Sequence, residues 1–152
     1  MTLAITLHVL AAVIWVGGMF FAWIVLRPVA ASQLEPPARL TLWRGVFARF
    51  FPWVWAAVAV LLATGLWMLF AVFGGMAGAR WHIHLMLALG LAMMAIYLHL
   101  WFVPWQRLQR AVDTEAWPEG GQQLASIRRL VGLNLILGML TSAIAAGGRY
   151  LA

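Results

Sequence analysis

Four long apolar runs separated by polar loops dominate the pattern of the chain. The runs cover roughly residues 3–26, 52–73, 81–103 and 130–146 of the 152. A helix needs about 20 apolar residues to cross the hydrocarbon core of a bilayer, and a backbone in lipid must satisfy its own hydrogen bonds. The pattern therefore predicts an all-α fold, a four-transmembrane-helix bundle that forms a single integral membrane domain over residues 1–152.

The loop between the first two runs has a pattern of its own. Leu40, Trp43, Phe47 and Phe50 recur at roughly helical spacing after a pair of prolines, with arginines interleaved. An apolar face opposite an arginine-bearing face is typical of a helix that lies in the membrane interface. We therefore predict a short interfacial helix on the cytoplasmic side.

The basic residues are distributed unevenly. All ten are arginine, and eight lie in the first and third loops: Arg27, Arg39, Arg44, Arg49, Arg107, Arg110, Arg128 and Arg129. The positive-inside rule then places these two loops in the cytoplasm. It predicts a multi-pass membrane protein whose N- and C-termini lie on the outer side.

The composition limits which functional groups the protein can use. The chain is 65% hydrophobic and 9% charged, and it contains no cysteine and no lysine. Disulfides, thiolate ligands and Schiff-base lysines are thereby excluded. Because the arginines flank the apolar runs, the expected partner is the lipid bilayer with its anionic headgroups, and not nucleic acid.

Apart from the phenol of Tyr97, histidine is the only ionisable residue type inside the apolar runs. His8 lies in the first run, and His82, His84 and His99 lie in the third. Ionisable groups at membrane depth are costly, so each is a functional hypothesis by default. His8 and His84 both lie roughly 5–8 Å below the outer edge by the helical rise, and two imidazoles from different helices can hold one b-type haem.

Helical phase favours His84 over His82 as the second ligand. His84 shares a stripe with Ala88, Leu91, Ala95 and His99, and His8 shares one with Ala11, Ala12, Trp15, Gly18 and Ala22. The small residues would leave room for a flat macrocycle, so Trp15 and Gly18 are predicted to line it. The metal ligands are predicted to be His8 and His84.

The other two histidines are not predicted to be metal ligands. His82 lies about 200° around the helix from His84, and we predict that it meets headgroups, water or a haem propionate. His99 lies about 22 Å further along the axis, too far to bind the same metal.

Two segments carry a family resemblance. His8 with the following AAVIWVGGMF, and the WHIHLM that opens the third run, resemble the CopD-like and HemJ-like families of bacterial membrane proteins. The HemJ-like resemblance implies a haem b bundle with protoporphyrinogen oxidase activity and a lysine two residues after a third-helix histidine. Here His84 stands at that place and lysine is absent, which speaks against the oxidase activity. The CopD-like resemblance implies a role in copper resistance. Both resemblances imply the bacterial inner (cytoplasmic) membrane, so the outer side that holds the N- and C-termini would be the periplasm.

Three functions remain open from the sequence. The first is a b-type haem protein that performs electron transfer or oxidase chemistry with a small-molecule, quinone, porphyrin or redox-protein partner. The second is a copper transport or resistance protein in which His8, His84 and methionines bind the metal. The third is an assembly or scaffold protein without a cofactor. Each is compatible with a homo-oligomer.

Overall fold

The computed structural model of the protein describes residues 1–150, and every long element in that part is a helix. The helices are α1 Thr2–Gln33, α2 Pro36–Ala71, α3 Trp81–Asp113 and α4 Trp117–Gly147. Each is long and apolar enough to cross a bilayer. The predicted all-α bundle of four spanning helices is confirmed.

Short connections make consecutive helices antiparallel. Residues 34–35 join α1 to α2, and residues 114–116 join α3 to α4. We call the end with these two connections the arginine-rich end. The opposite end, which holds the N-terminus, the connection 72–80 and the last turn of α4, is called the termini end. Near the arginine-rich end α1 and α3 each widen into a π-helical segment, Phe21–Leu26 and Trp101–Trp105.

The packing pairs α1 with α2 and α3 with α4. Helix α4 also contacts α1 and α2, and so lies against all three other helices. The backbones of α1 and α3 barely meet, and these helices touch through Trp15 and Tyr97, whose ring centroids are 6.1 Å apart. α1 and α3 therefore stand diagonally across the bundle.

An aromatic cluster forms the core between α2 and α3. Tyr97 is almost completely buried, and its ring packs edge-on against Phe51 and Trp55. Its hydroxyl donates a 3.0 Å hydrogen bond to the carbonyl of Phe51. The cluster continues towards the arginine-rich end through Phe47, Trp101 and Trp105.

The outer surface of the bundle is apolar. Large side chains such as Phe20, Trp53, Phe102 and Ile136 are exposed on different helices. In water such a surface would be an aggregation hazard, whereas in hydrocarbon it is solvated. The surface therefore indicates a bilayer environment.

The first loop differs from the sequence prediction in one respect. The segment from Pro36 to Phe50 is helical as expected, but it runs without a break through Pro52 into the second span. Its apolar residues Leu40, Trp43 and Phe47 are buried inside the protein. The physical reason is that the other helices also extend past the apolar runs and offer an apolar surface, so this face packs on protein and not on lipid.

Candidate metal site at the termini end

His8 is held against α2 by a chain of two hydrogen bonds. Its Nδ1 lies 2.8 Å from the hydroxyl oxygen of Thr64, and that hydroxyl lies 2.6 Å from the carbonyl oxygen of Val60. The His8 ring is half-buried. The three groups connect the outer part of α1 to the last third of α2.

This chain of hydrogen bonds determines the tautomer of His8. Two oxygen atoms 2.6 Å apart need a proton between them, so the Thr64 hydroxyl donates to the Val60 carbonyl. The hydroxyl has no second proton, and it must therefore accept from His8 Nδ1–H. When this imidazole is neutral, its lone pair therefore lies on Nε2, which is the form that binds a metal.

Gly65 lies beside the His8 ring. A methyl group at Gly65 would lie 3.4 Å from His8 Cε1, which is ordinary van der Waals contact. The imidazole therefore packs close to the backbone of α2 at this position.

His82 lies where α3 begins and α4 ends. A methyl group at Gly148 would come within 3.0 Å of its Cβ, and its ring meets that of Trp81 edge-on. Its Nδ1 is buried and has no hydrogen-bond partner among the described residues. The imidazole thus contacts Trp81 and the end of α4, and the expected contact with headgroups, water or a haem propionate stays a prediction.

His84 is half-buried and lies on a different face of α3. Within residues 1–150 its side chain forms no hydrogen bond, ion pair or ring contact. The rest of its predicted stripe is exposed: Ala88, Leu91, Ala95 and His99. The buried face of α3 instead carries Met93, Tyr97 and Leu100. The face of His84 thus lies away from the core that these three residues join, and the predicted ligand role of His84 stays a prediction.

Trp15 and Gly18 take part in protein packing. Trp15 is only 3% exposed and lies against Tyr97. A methyl group at Gly18 would collide with the ring of Phe50. The Phe50 ring of α2 therefore occupies the space beside Gly18, and Trp15 packs on α3.

The described residues contain no group of three or more His, Asp or Glu side chains that could hold a metal ion. His99 is exposed at the other end of α3. A metal at the termini end would thus depend on few imidazoles together with other donors.

The contact between Thr64 and His8 could not be predicted from the sequence. Thr64 stands out as a polar residue in an apolar run, but its partner depends on the register between α1 and α2.

Asn134 is a second polar residue whose partner the sequence does not indicate. It is buried, and its Nδ2 donates to the carbonyl of Met93 at 3.1 Å. Its Oδ1 has no partner in the described part of the chain.

The fold and the site define a class: a polytopic membrane protein in which a histidine on one span is hydrogen-bonded to a threonine on the next. The family profile of copper resistance protein D (CopD) matches residues 44–147. The chain belongs to this CopD family. The matched stretch includes Thr64, His82 and His84, whereas His8 precedes it. Comparisons with curated proteins and with solved structures gave no match.

Proposed function

We propose that the protein binds copper at the termini end, as part of copper transport or resistance, and that His8 is a ligand through Nε2. The observation that carries the proposal is the hydrogen-bond chain from His8 through Thr64 to Val60. Metal-binding histidines commonly donate their other ring N–H to such a partner, which fixes the ring and its tautomer. Membership of the CopD family supports copper as the metal.

The donor types at this end of the bundle fit copper. Imidazole binds copper in either oxidation state, and thioethers select Cu(I). Met68 lies one turn beyond Thr64 on the same face of α2, about 6 Å along the axis, and is half-buried. Its thioether is therefore the nearest sulfur donor along that face. Copper would be the cargo or the bound ion, and the protein would supply a neutral site for it.

A b-type haem held by His8 and His84 is the second candidate. The free Nε2 of His8 would serve haem iron equally well. However, the space beside Gly18 is occupied by Phe50, and the stripe of α3 that continues from His84 is exposed. Copper therefore has the better support. Electron transfer or oxidase chemistry with a quinone, porphyrin or redox protein belongs to this second candidate.

Metal analysis separates these functions. The full chain is purified from cells that are supplied with both copper and a haem precursor, and copper and iron are counted per chain. We expect bound copper in the wild type, a severe loss in His8→Ala, and no change in His99→Ala, whose histidine is exposed at the other end. A Soret band with stoichiometric iron would overturn copper in favour of haem. A chain without either metal would leave the scaffold function.

A further inference from the structure

A narrow cleft opens between three helices at the arginine-rich end. α1 lines it with Trp23 and Arg27, α2 with Trp43 and Phe47, and α4 with Arg128. Its lining thus combines aromatic rings with two guanidinium groups. None of these residues belongs to the proposed copper site, which lies at the opposite end of the bundle.

The indole of Trp23 is fixed within this cleft. Its Nε1 donates a 3.1 Å hydrogen bond to the carbonyl of Arg128. The guanidinium of Arg27 lies over the ring, 4.6 Å from its centroid. A methyl group at Gly132 would come within 2.8 Å of Trp23 Nε1, so the ring rests against the backbone of α4. Contacts between α1 and α4 therefore fix the shape of the cleft without a ligand.

Arg27 and Arg128 bring positive charge to the cleft from α1 and α4. In the described part of the chain neither of these arginines forms an ion pair; the ion pair seen there joins Arg44 to Asp113 at 2.7 Å. Two cations from different helices thus line one cleft without an ion-paired carboxylate, which favours an external anion.

We propose that Arg27 and Arg128, here named the arginine cradle, bind the phosphate headgroup of an anionic phospholipid. Guanidinium groups match the phosphate oxygens in geometry and charge, and basic pockets between spanning helices are suited to anionic headgroups. The cradle lies where the first apolar run ends. The exposed Ile24 and Val25 of α1 would accommodate the acyl chains. Because the acyl chains have an apolar surface beside the cradle, a phospholipid is favoured over free phosphate.

Lipid binding to the full chain tests this site. The protein is held in a neutral detergent, and native mass spectrometry measures the retention of added phosphatidylglycerol, phosphatidylcholine or inorganic phosphate. We expect one tightly retained phosphatidylglycerol. Arg27→Gln and Arg128→Gln should each weaken its binding about fivefold, the effect of one basic residue near an anionic headgroup.

Arg49→Gln is the matched charge control. Arg49 is exposed at the same end, and its guanidinium bonds to the carbonyl of Gly45 on its own helix. Its replacement should leave phosphatidylglycerol binding unchanged. An equal loss in this variant would show that total charge, and not the cradle, attracts the lipid.

A second pair of variants tests the geometry at constant charge. Gly132→Ala should displace Trp23 and with it the stacked Arg27, and so weaken binding of phosphatidylglycerol. Gly121→Ala is the control, since a methyl group there would meet nothing within 4 Å. This comparison keeps the test informative if an arginine variant fails to fold.

Two further results would overturn the proposal. If phosphatidylcholine is retained as tightly as phosphatidylglycerol, the cleft is only an apolar groove. If inorganic phosphate binds to the cradle and displaces the lipid at equal concentration, the ligand is free phosphate. Copper content is measured on the same samples, and it should stay constant in all these variants, so that failure of one site is distinguishable from failure of the other.

Discussion

At the scale of single residues, one hydroxyl group determines what His8 offers. Thr64 donates to the Val60 carbonyl and accepts from His8, which leaves the Nε2 lone pair free. A serine would preserve both bonds, whereas a valine of similar shape would remove the acceptor and leave Nδ1–H unpaired. The pair of substitutions therefore isolates the hydrogen bond from the packing.

We expect Thr64→Val to weaken copper binding by about 10- to 100-fold, the usual effect of losing a partner that orients a metal-binding histidine. Thr64→Ser should bind nearly as well as the wild type. Copper(I) affinity of the purified variants, measured by competition with a chromophoric chelator, checks this. Equal affinities for Thr64→Val and the wild type would show that the hydrogen bond does not prepare His8 for a metal.

The sequence indicated the histidines but not their partners. His8 could be selected because it lies in a run with no other ionisable group, and its stripe is indeed buried at Ala11 and Trp15. Its bond to Thr64 joins residues 56 positions apart. Such a contact depends on the axial offset between α1 and α2, and neither composition nor periodicity determines that offset.

At the scale of elements, α3 shows why it is difficult to predict which face of a helix is buried in a membrane bundle. Ala88 and Ala95 are small, and close packing of small residues is common between spanning helices. In the structure they are exposed, and the larger Met93 and Tyr97 face the core. Lipid and protein interior are both apolar, so hydropathy along α3 cannot distinguish its two faces.

The contact between α1 and α4 gives a prediction at this scale. A methyl group at Gly138 would lie 2.8 Å from Cγ2 of Val16, a β-branched side chain that has little freedom to move. Gly138→Ala should therefore destabilise the bundle by about 1–3 kcal/mol, as overpacking does. Thermal unfolding in detergent measures the change.

Gly17→Ala is the control for that substitution. A methyl group at Gly17 would have nothing within 4 Å, and the helix gains from losing a flexible residue. Its stability should be unchanged or slightly higher. If both alanine variants unfold at the same temperature, α1 and α4 do not pack closely at Gly138.

At the scale of the whole molecule, hydropathy predicted the number and order of the spans because lipid requires helices of a minimum length. It underestimated their extent: α2 begins at Pro36 and α3 ends at Asp113, well beyond the apolar runs. These extensions are polar or amphipathic and are stabilised by packing at the arginine-rich end. The interfacial helix was therefore predicted as a separate element when it is the first part of α2.

The orientation of the bundle is a prediction at the same scale. Eight arginines at the arginine-rich end should hold that end in the cytoplasm and both termini in the periplasm. A phosphatase fused after residue 152, active only in the periplasm, should be active, and a fluorescent protein that matures only in the cytoplasm should be dark. The reverse pattern would place the His8 site at the cytoplasmic face.

The central claim is that His8 Nε2 binds copper, and X-ray absorption at the copper edge tests it most directly. The sample is the full chain loaded with one copper(I), compared with His8→Ala loaded in the same way. We predict imidazole scattering around copper in the wild type, together with sulfur if Met68 contributes, and loss of the imidazole signal in His8→Ala. A wild-type spectrum without imidazole, or one that His8→Ala leaves unchanged, would contradict the claim.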